Sequence, residues 1–136
     1  MKTLWLLAMY LLVQDWPEFR GPTGQGLSDQ TGLPLTWSEH RNVKWKTAIP
    51  GRGWSSPAIQ GDRIWLTTAT EEGKSLRAIC VDRGSGAILQ NIEVFRLNSP
   101  GGVNAKNSFA SPTPVLDGNK VYVHFGAFGT ACISQS

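Results

Sequence analysis

The chain has 136 residues, 40% of them hydrophobic and 17% charged, a balance that excludes an intrinsically disordered protein and suits one globular domain with a buried core. Thirteen basic and ten acidic residues leave a net charge of +3, and no run of like charge is longer than Glu71-Glu72, so the clustered basic face that nucleic-acid binding requires is missing. Fifteen glycines, eight prolines and six tryptophans are spread along the chain, which points to short strands joined by tight turns and hence to an all-β fold.

Residues 1–14, MKTLWLLAMYLLVQ, place one lysine before an apolar run from Leu4 to Val13. The run is too short for a membrane-spanning helix and resembles the charged start and apolar middle of a secretory signal, although Leu12-Val13-Gln14 lacks the small residues of a cleavage site. Export to the periplasm or the medium is expected, with the mature chain beginning near Asp15. Residues 15–42 are dense in Gly, Pro and polar side chains and read as an irregular arm.

In NVKWKTAIPG, Val43, Trp45, Thr47 and Ile49 alternate with Lys44, Lys46 and Ala48, the pattern of a half-buried strand stopped at Pro50-Gly51. Four strands follow, at Ser55–Gln60, Arg63–Ala69, Leu76–Val81 and Ala87–Phe95. Their connections, Gly61-Asp62, Glu71-Glu72-Gly73-Lys74 and Arg83-Gly84-Ser85-Gly86, are short and carry Gly where a hairpin takes positive φ. After the loop RLNSPGGVNAKNS the order recurs at Ser111–Leu116, Lys120–Phe125 and Thr130–Ile133, with Ser56-Pro57 matched by Ser111-Pro112, 55 residues on (111 − 56). Four-stranded antiparallel units repeating at such a spacing are the signature of a β-propeller, in which one blade cannot bury both its faces alone. The expected organisation is therefore a signal over 1–14, an arm over 15–42, and an incomplete propeller over 43–136: a closing strand at 43–49, a blade at 54–95 and part of a second at 110–136.

Cys80 and Cys132 each lie in a strand between apolar neighbours and form no Cys-x-x-Cys pair, so both are expected to be buried, unpaired and free of metal. Asp62, Asp82 and Asp117 all fall in hairpin connections, where turn chemistry accounts for them, and no cluster offers the six to eight oxygens of a calcium site. His124 alternates with Val123 and Phe125 without a nucleophile nearby, and His40 reads as a solvated loop residue; neither suggests catalysis. No nucleophile elbow, phosphate loop or His-Glu-x-x-His helix occurs. The candidate ligand-binding residues are Lys106, Asn107 and Ser108 of the inter-blade loop, with Arg52 and Trp54 of PGRGWSS supplying a cation and a stacking face.

The run AICVDRGSGAILQ resembles the repeat of the pyrroloquinoline-quinone-like (PQQ-like) β-propeller family, Ala-x-Asp-x-x-Thr-Gly-x-x-x-Trp, at Asp82 and Gly86, with Ser85 in place of Thr and Gln90 in place of the tryptophan that docks between blades. DWPEFRGPTGQG, GLPLTWSEHRNVKWKTAIPGRGWSSPAI and KNSFASPTPVLDGNKVYVHFGAFGTAC are similar to the N-terminal part of a secreted subgroup, so that the resemblance covers essentially everything after Gln14. It implies a ring of several blades in a protein of about 400 residues, an N-terminal strand that completes the last blade, and further blades beyond Ser136. The function it suggests is an exported, non-enzymatic scaffold without a cofactor, holding a protein or polysaccharide partner. The rival readings are a quinone-dependent dehydrogenase, using PQQ and calcium on later blades, and the sensor domain of a larger signalling protein. As a fragment, the chain is expected to be aggregated, oligomeric or loosely folded alone.

Overall fold

The computed structural model describes residues 14–135. The expected signal segment thus lies, but for Gln14, outside the described residues, and among these no helix is long and apolar enough to cross a membrane.

Among the described residues seven strands form two antiparallel sheets. The first has the order β1 (Ala58–Gln60), β2 (Arg63–Thr70), β3 (Ser75–Asp82), β4 (Ile88–Arg96); the second has the order β5 (Val115–Asp117), β6 (Lys120–His124), β7 (Thr130–Ser134). The fold is all-β, as composition and alternation indicated. Neither sheet closes on itself among the described residues, which form two stacked open sheets.

The first strand of each sheet is shorter than expected, and proline is the reason. Pro57 and Pro112 have no N–H to give a ladder. Side chains replace the missing backbone bonds: Ser55 Oγ donates to Thr67 O (3.4 Å) and accepts from Thr67 N (3.0 Å), while Ser56 N donates to Thr113 Oγ1 (3.1 Å). The register also moves the repeat. Ala58 stands opposite Trp65 as Val115 stands opposite Tyr122, which aligns Pro57 with Pro114 instead of Ser56-Pro57 with Ser111-Pro112.

The core lies between the sheets. Ala58, Trp65, Ala69, Leu76, Ala78 and Cys80 project from one face of the first sheet and meet Leu116, Val121, Val123 and Phe125 of the second in a single apolar cluster. Polar bonds cross the same boundary. Trp65 Nε1 donates to Gln135 Oε1 (3.1 Å), and Thr67 Oγ1 donates to Pro112 O (3.3 Å). The Phe95 and Phe125 rings meet edge to face at 5.9 Å, an arrangement that adds to the area they bury.

Both cysteines are free. Cys80 faces the core and is buried, and burial pushes its thiol up from the ordinary value. Cys132, opposite Tyr122 as Cys80 is opposite Trp65, is exposed, contrary to the sequence reading. The two positions are equivalent, but among the described residues only the first sheet has a neighbour on that face.

Residues 43–49, expected as a closing strand, are assigned to no sheet among the described residues. Their alternation survives as half-buried Trp45, Thr47 and Ile49 between exposed Lys44, Lys46 and Ala48, yet the segment has no ladder partner among the described residues. Side chains hold it over the far face of the first sheet. Trp45 Nε1 donates to Arg83 O (2.9 Å), Thr47 Oγ1 donates to Gly86 O (2.5 Å), and Pro50 O accepts from Thr68 Oγ1 (2.6 Å). The Trp45 ring lies where a Cβ on Gly86 would be, 2.6 Å from that position, so glycine at φ +78° is required by both the turn and the indole. Ile79, Val81 and Thr68 on this far face are thereby buried.

The arm over 15–42 is irregular, as expected, but its start laces the two sheets. Trp16 and Ile59 exchange both backbone bonds at 2.8 Å, Pro17 O accepts from Leu116 N (2.8 Å), and Asp15 Oδ1 accepts from Gly61 N (2.8 Å).

Candidate functional site

Hairpin β2–β3 and the loop joining the sheets meet at one end of the stack and enclose a cleft of about 590 Å³. Gly51, Arg52, Glu71, Glu72, Gly73, Asn107, Ser108 and Phe109 are among its lining residues. Three of the five sequence candidates, Arg52, Asn107 and Ser108, are brought together here although the loop lies more than fifty residues beyond Arg52. The other two lie elsewhere. Trp54 is exposed in a shallow groove with Phe19, Pro112 and Val115, and Lys106 is exposed on the loop without lining the cleft.

Arg52 is placed by the backbone. Its N–H donates to Ala69 O and its carbonyl accepts from Ala69 N, both at 2.9 Å, which fastens the segment to the β2 edge. The inter-sheet loop organises itself: Asn107 Oδ1 accepts from Ser108 N (2.9 Å) and from Ser111 Oγ, and Ser108 Oγ accepts from Ala110 N (3.1 Å). The oxygens of Asn107 and Ser108 therefore shape the wall, a structural role typical of Asn and Ser in turns. Two charges remain for a ligand. Arg52 and Glu72 are exposed and make no side-chain hydrogen bond or ion pair among the described residues.

The sequence reading missed the opposite wall. Glu71 and Glu72 both adopt left-handed backbone, φ 51° and 57°, which is costly for residues with a Cβ and sets Glu72 at the mouth. Gly73 follows at φ +93°, and the Phe109 ring occupies the space a side chain there would take. Phe109 in turn rests on Phe128, ring centroids 5.9 Å apart. A lone aromatic in the polar run KNSFAS was the available signal for this wall; nothing local marks the left-handed glutamates.

Glu71 is tied to Arg96 (Oε2–Nη2 2.7 Å), which also reaches Glu93 (3.1 Å). The Arg96 guanidinium holds the Glu71 carboxyl below its ordinary 4.5. The Ser75 hydroxyl, donating at 2.5 Å, and then Arg96 do the same for Glu93. Asp82 is lowered through the bonds it accepts from Ser85 Oγ (2.6 Å) and Ser85 N (2.7 Å), the turn role expected of it. Because the folded carboxyls bind protons more weakly than the unfolded ones, their contribution to stability is fully present above about pH 4.5 and is lost as pH falls through the lowered folded values. The melting temperature should fall on acidification below that point, and Arg96→Ala should flatten the fall. An unchanged slope in the variant would show that Arg96 is not the cause.

His124 Nδ1 lies 2.9 Å from Thr130 Oγ1 on an exposed strand, away from the cleft. Among the described residues no group of three or more His, Cys, Asp or Glu is placed to hold a metal ion.

Fold and cleft together define an all-β protein of two stacked antiparallel sheets, with a partly apolar cleft whose unpaired charges are one cation, Arg52, and one anion, Glu72. No family model, curated protein or solved structure matches the chain.

Proposed function

We propose that this chain is an exported, non-enzymatic scaffold of β-propeller type, akin to the PQQ-like repeat proteins, and that it binds a polysaccharide in the Arg52–Phe109 cleft. The carrying observation is the composition of that cleft: an aromatic ring and glycine backbone form one wall, and a guanidinium and a carboxylate among its lining residues are left free. Sugar rings present apolar C–H faces edged by hydroxyls, which suit an aromatic surface with charged hydrogen-bonding groups beside it. A cation and an anion in one cleft favour a neutral chain over a strongly charged one. The apolar start from Leu4 to Val13 supports export, and the one-directional stacking of sheet on sheet supports the propeller reading.

The test is a screen of immobilised neutral polysaccharides, followed by calorimetry on the best oligosaccharide. Removing one charged hydrogen-bonding group should weaken binding roughly 10- to 150-fold, so Arg52→Ala and Glu72→Gln should each do so while Lys106→Ala changes little. Wild-type affinity in both cleft variants, or no retained polysaccharide, would overturn the assignment. Alcohol-dependent dye reduction after addition of PQQ and Ca²⁺ would overturn its non-enzymatic part.

A further inference from the structure

Arg96 does not line the cleft, yet it is bound to a residue that does. Its guanidinium grips the Glu71 carboxylate as a fork, Nη1 to Oε1 at 2.8 Å and Nη2 to Oε2 at 2.7 Å. Nη1 also reaches Glu93 Oε2 at 3.1 Å, and that oxygen accepts in turn from Ser75 Oγ at 2.5 Å and from Arg77 Nη1 at 3.4 Å. Ser75 is fully buried in β3 and stands opposite Arg96 in the register, so the carboxylate that steadies Arg96 is itself fixed to the sheet. Exposed ion pairs are generally weak, but a bidentate arginine–carboxylate pair within a network is the exception. What this pair holds is a backbone that glutamate disfavours: Glu71, Glu72 and Gly73 have φ of 51°, 57° and 93° in succession. Glycine accepts such angles freely, whereas each glutamate gives up its preferred conformation. The backbone bond that closes the turn, Lys74 N to Glu71 O at 3.1 Å, does not select the left-handed form, because right-handed residues make the same bond.

We infer that Arg96 is a positioning residue for the cleft: by holding Glu71 left-handed it sets Glu72 and Gly73 in the wall, and so governs ligand affinity without touching the ligand. The inference rests on the cleft being the binding site, as proposed above, while the conformational part stands on the turn itself. Releasing Glu71 lets the turn relax, which withdraws Glu72 and lifts Gly73 from the Phe109 ring it packs against. A ligand that needs the held conformation binds with an apparent Kd raised by the inverse of the fraction that adopts it. Arg96→Ala should reduce that fraction to roughly a third to a tenth, and weaken binding roughly 3- to 10-fold.

Proton NMR of the full chain without ligand reads the wall directly, because Gly73 lies against the Phe109 ring and its Hα resonances carry the ring current. In Arg96→Ala that displacement should shrink to the same fraction, roughly a third to a tenth of the wild-type value. Arg96→Ala/Glu71→Gly should restore it, together with wild-type affinity, since glycine needs no ion pair to stay left-handed. Arg96→Ala/Glu71→Gln restores the same net charge without that freedom and should remain weak. Affinity is measured by calorimetry with the neutral oligosaccharide retained in the polysaccharide screen. A wild-type Gly73 shift in Arg96→Ala would overturn the inference, because the wall would then stand without Arg96. Failure of glycine to rescue, or equal rescue by glutamine, would also overturn it; the latter would mean that Arg96 acts through its charge. A cleft that retains no oligosaccharide overturns the polysaccharide reading alone, and the Gly73 shifts then decide this one. Should Arg96→Ala not fold, Arg96→Lys, which keeps the charge but lacks the fork, gives the same comparison with the same outcomes.

Discussion

Replacing Trp65 by alanine should lower the free energy of unfolding by about 3 to 5 kcal/mol, the range for emptying a large aromatic site in a packed core. Trp65 is fully buried at the centre of the contact between the sheets. Its loss would also strand Gln135, a buried residue whose Oε1 accepts from Trp65 Nε1 while its Nε2 donates to Gly118 O (2.8 Å) and Gln60 Oε1 (2.7 Å). An orphaned buried acceptor costs about 1 to 3 kcal/mol, part of which the total already contains. Trp65→Phe fills much of the volume without the donor, so comparing the two variants by denaturant unfolding separates packing from the hydrogen bond. A loss below about 1 kcal/mol in Trp65→Ala would be that of an ordinary surface change and would mean that the sheets do not stack on this residue.

Gly53→Ala should cost about 1 to 3 kcal/mol and weaken ligand binding with it, because a Cβ at this position overlaps the Thr67 carbonyl oxygen. That oxygen belongs to the backbone of β2 and cannot swing aside as a side chain would. Gly51 is in the same situation against Ala69 O, and between the two glycines Arg52 makes its paired bonds with Ala69. Forcing the segment off the β2 edge would therefore carry Arg52 out of the cleft. Gly102→Ala is the control: a Cβ there meets nothing within 4 Å, and its backbone is not left-handed. Thermal melts and calorimetry on both variants check the prediction. Wild-type stability in Gly53→Ala would mean that the segment does not approach β2 this closely.

Strand order, hairpin positions and the all-β class were legible in the sequence because each depends on neighbours along the chain. Val121, Tyr122 and Val123 alternate over a few residues, and Gly61 and Gly118 supply positive φ at the turns whatever lies around them. Alternation names two faces for a strand without saying what covers either one. Cys80 and Cys132 had the same local pattern, yet one is buried and the other exposed, because the stacking of sheet on sheet covers only the first. The pattern of 43–49 was likewise correct in its alternation and silent on pairing, which requires a neighbouring strand that local sequence does not contain. The cleft was half legible. Asn107 and Ser108 announced themselves as loop residues and Arg52 as a cation beside glycines, but their meeting depends on the β2 edge and the inter-sheet loop arriving at the same end of the stack. The left-handed Glu71-Glu72 wall was decided by tertiary structure alone: the Arg96 ion pair on Glu71 and the Phe109 ring against Gly73 hold a backbone that glutamate does not choose for itself.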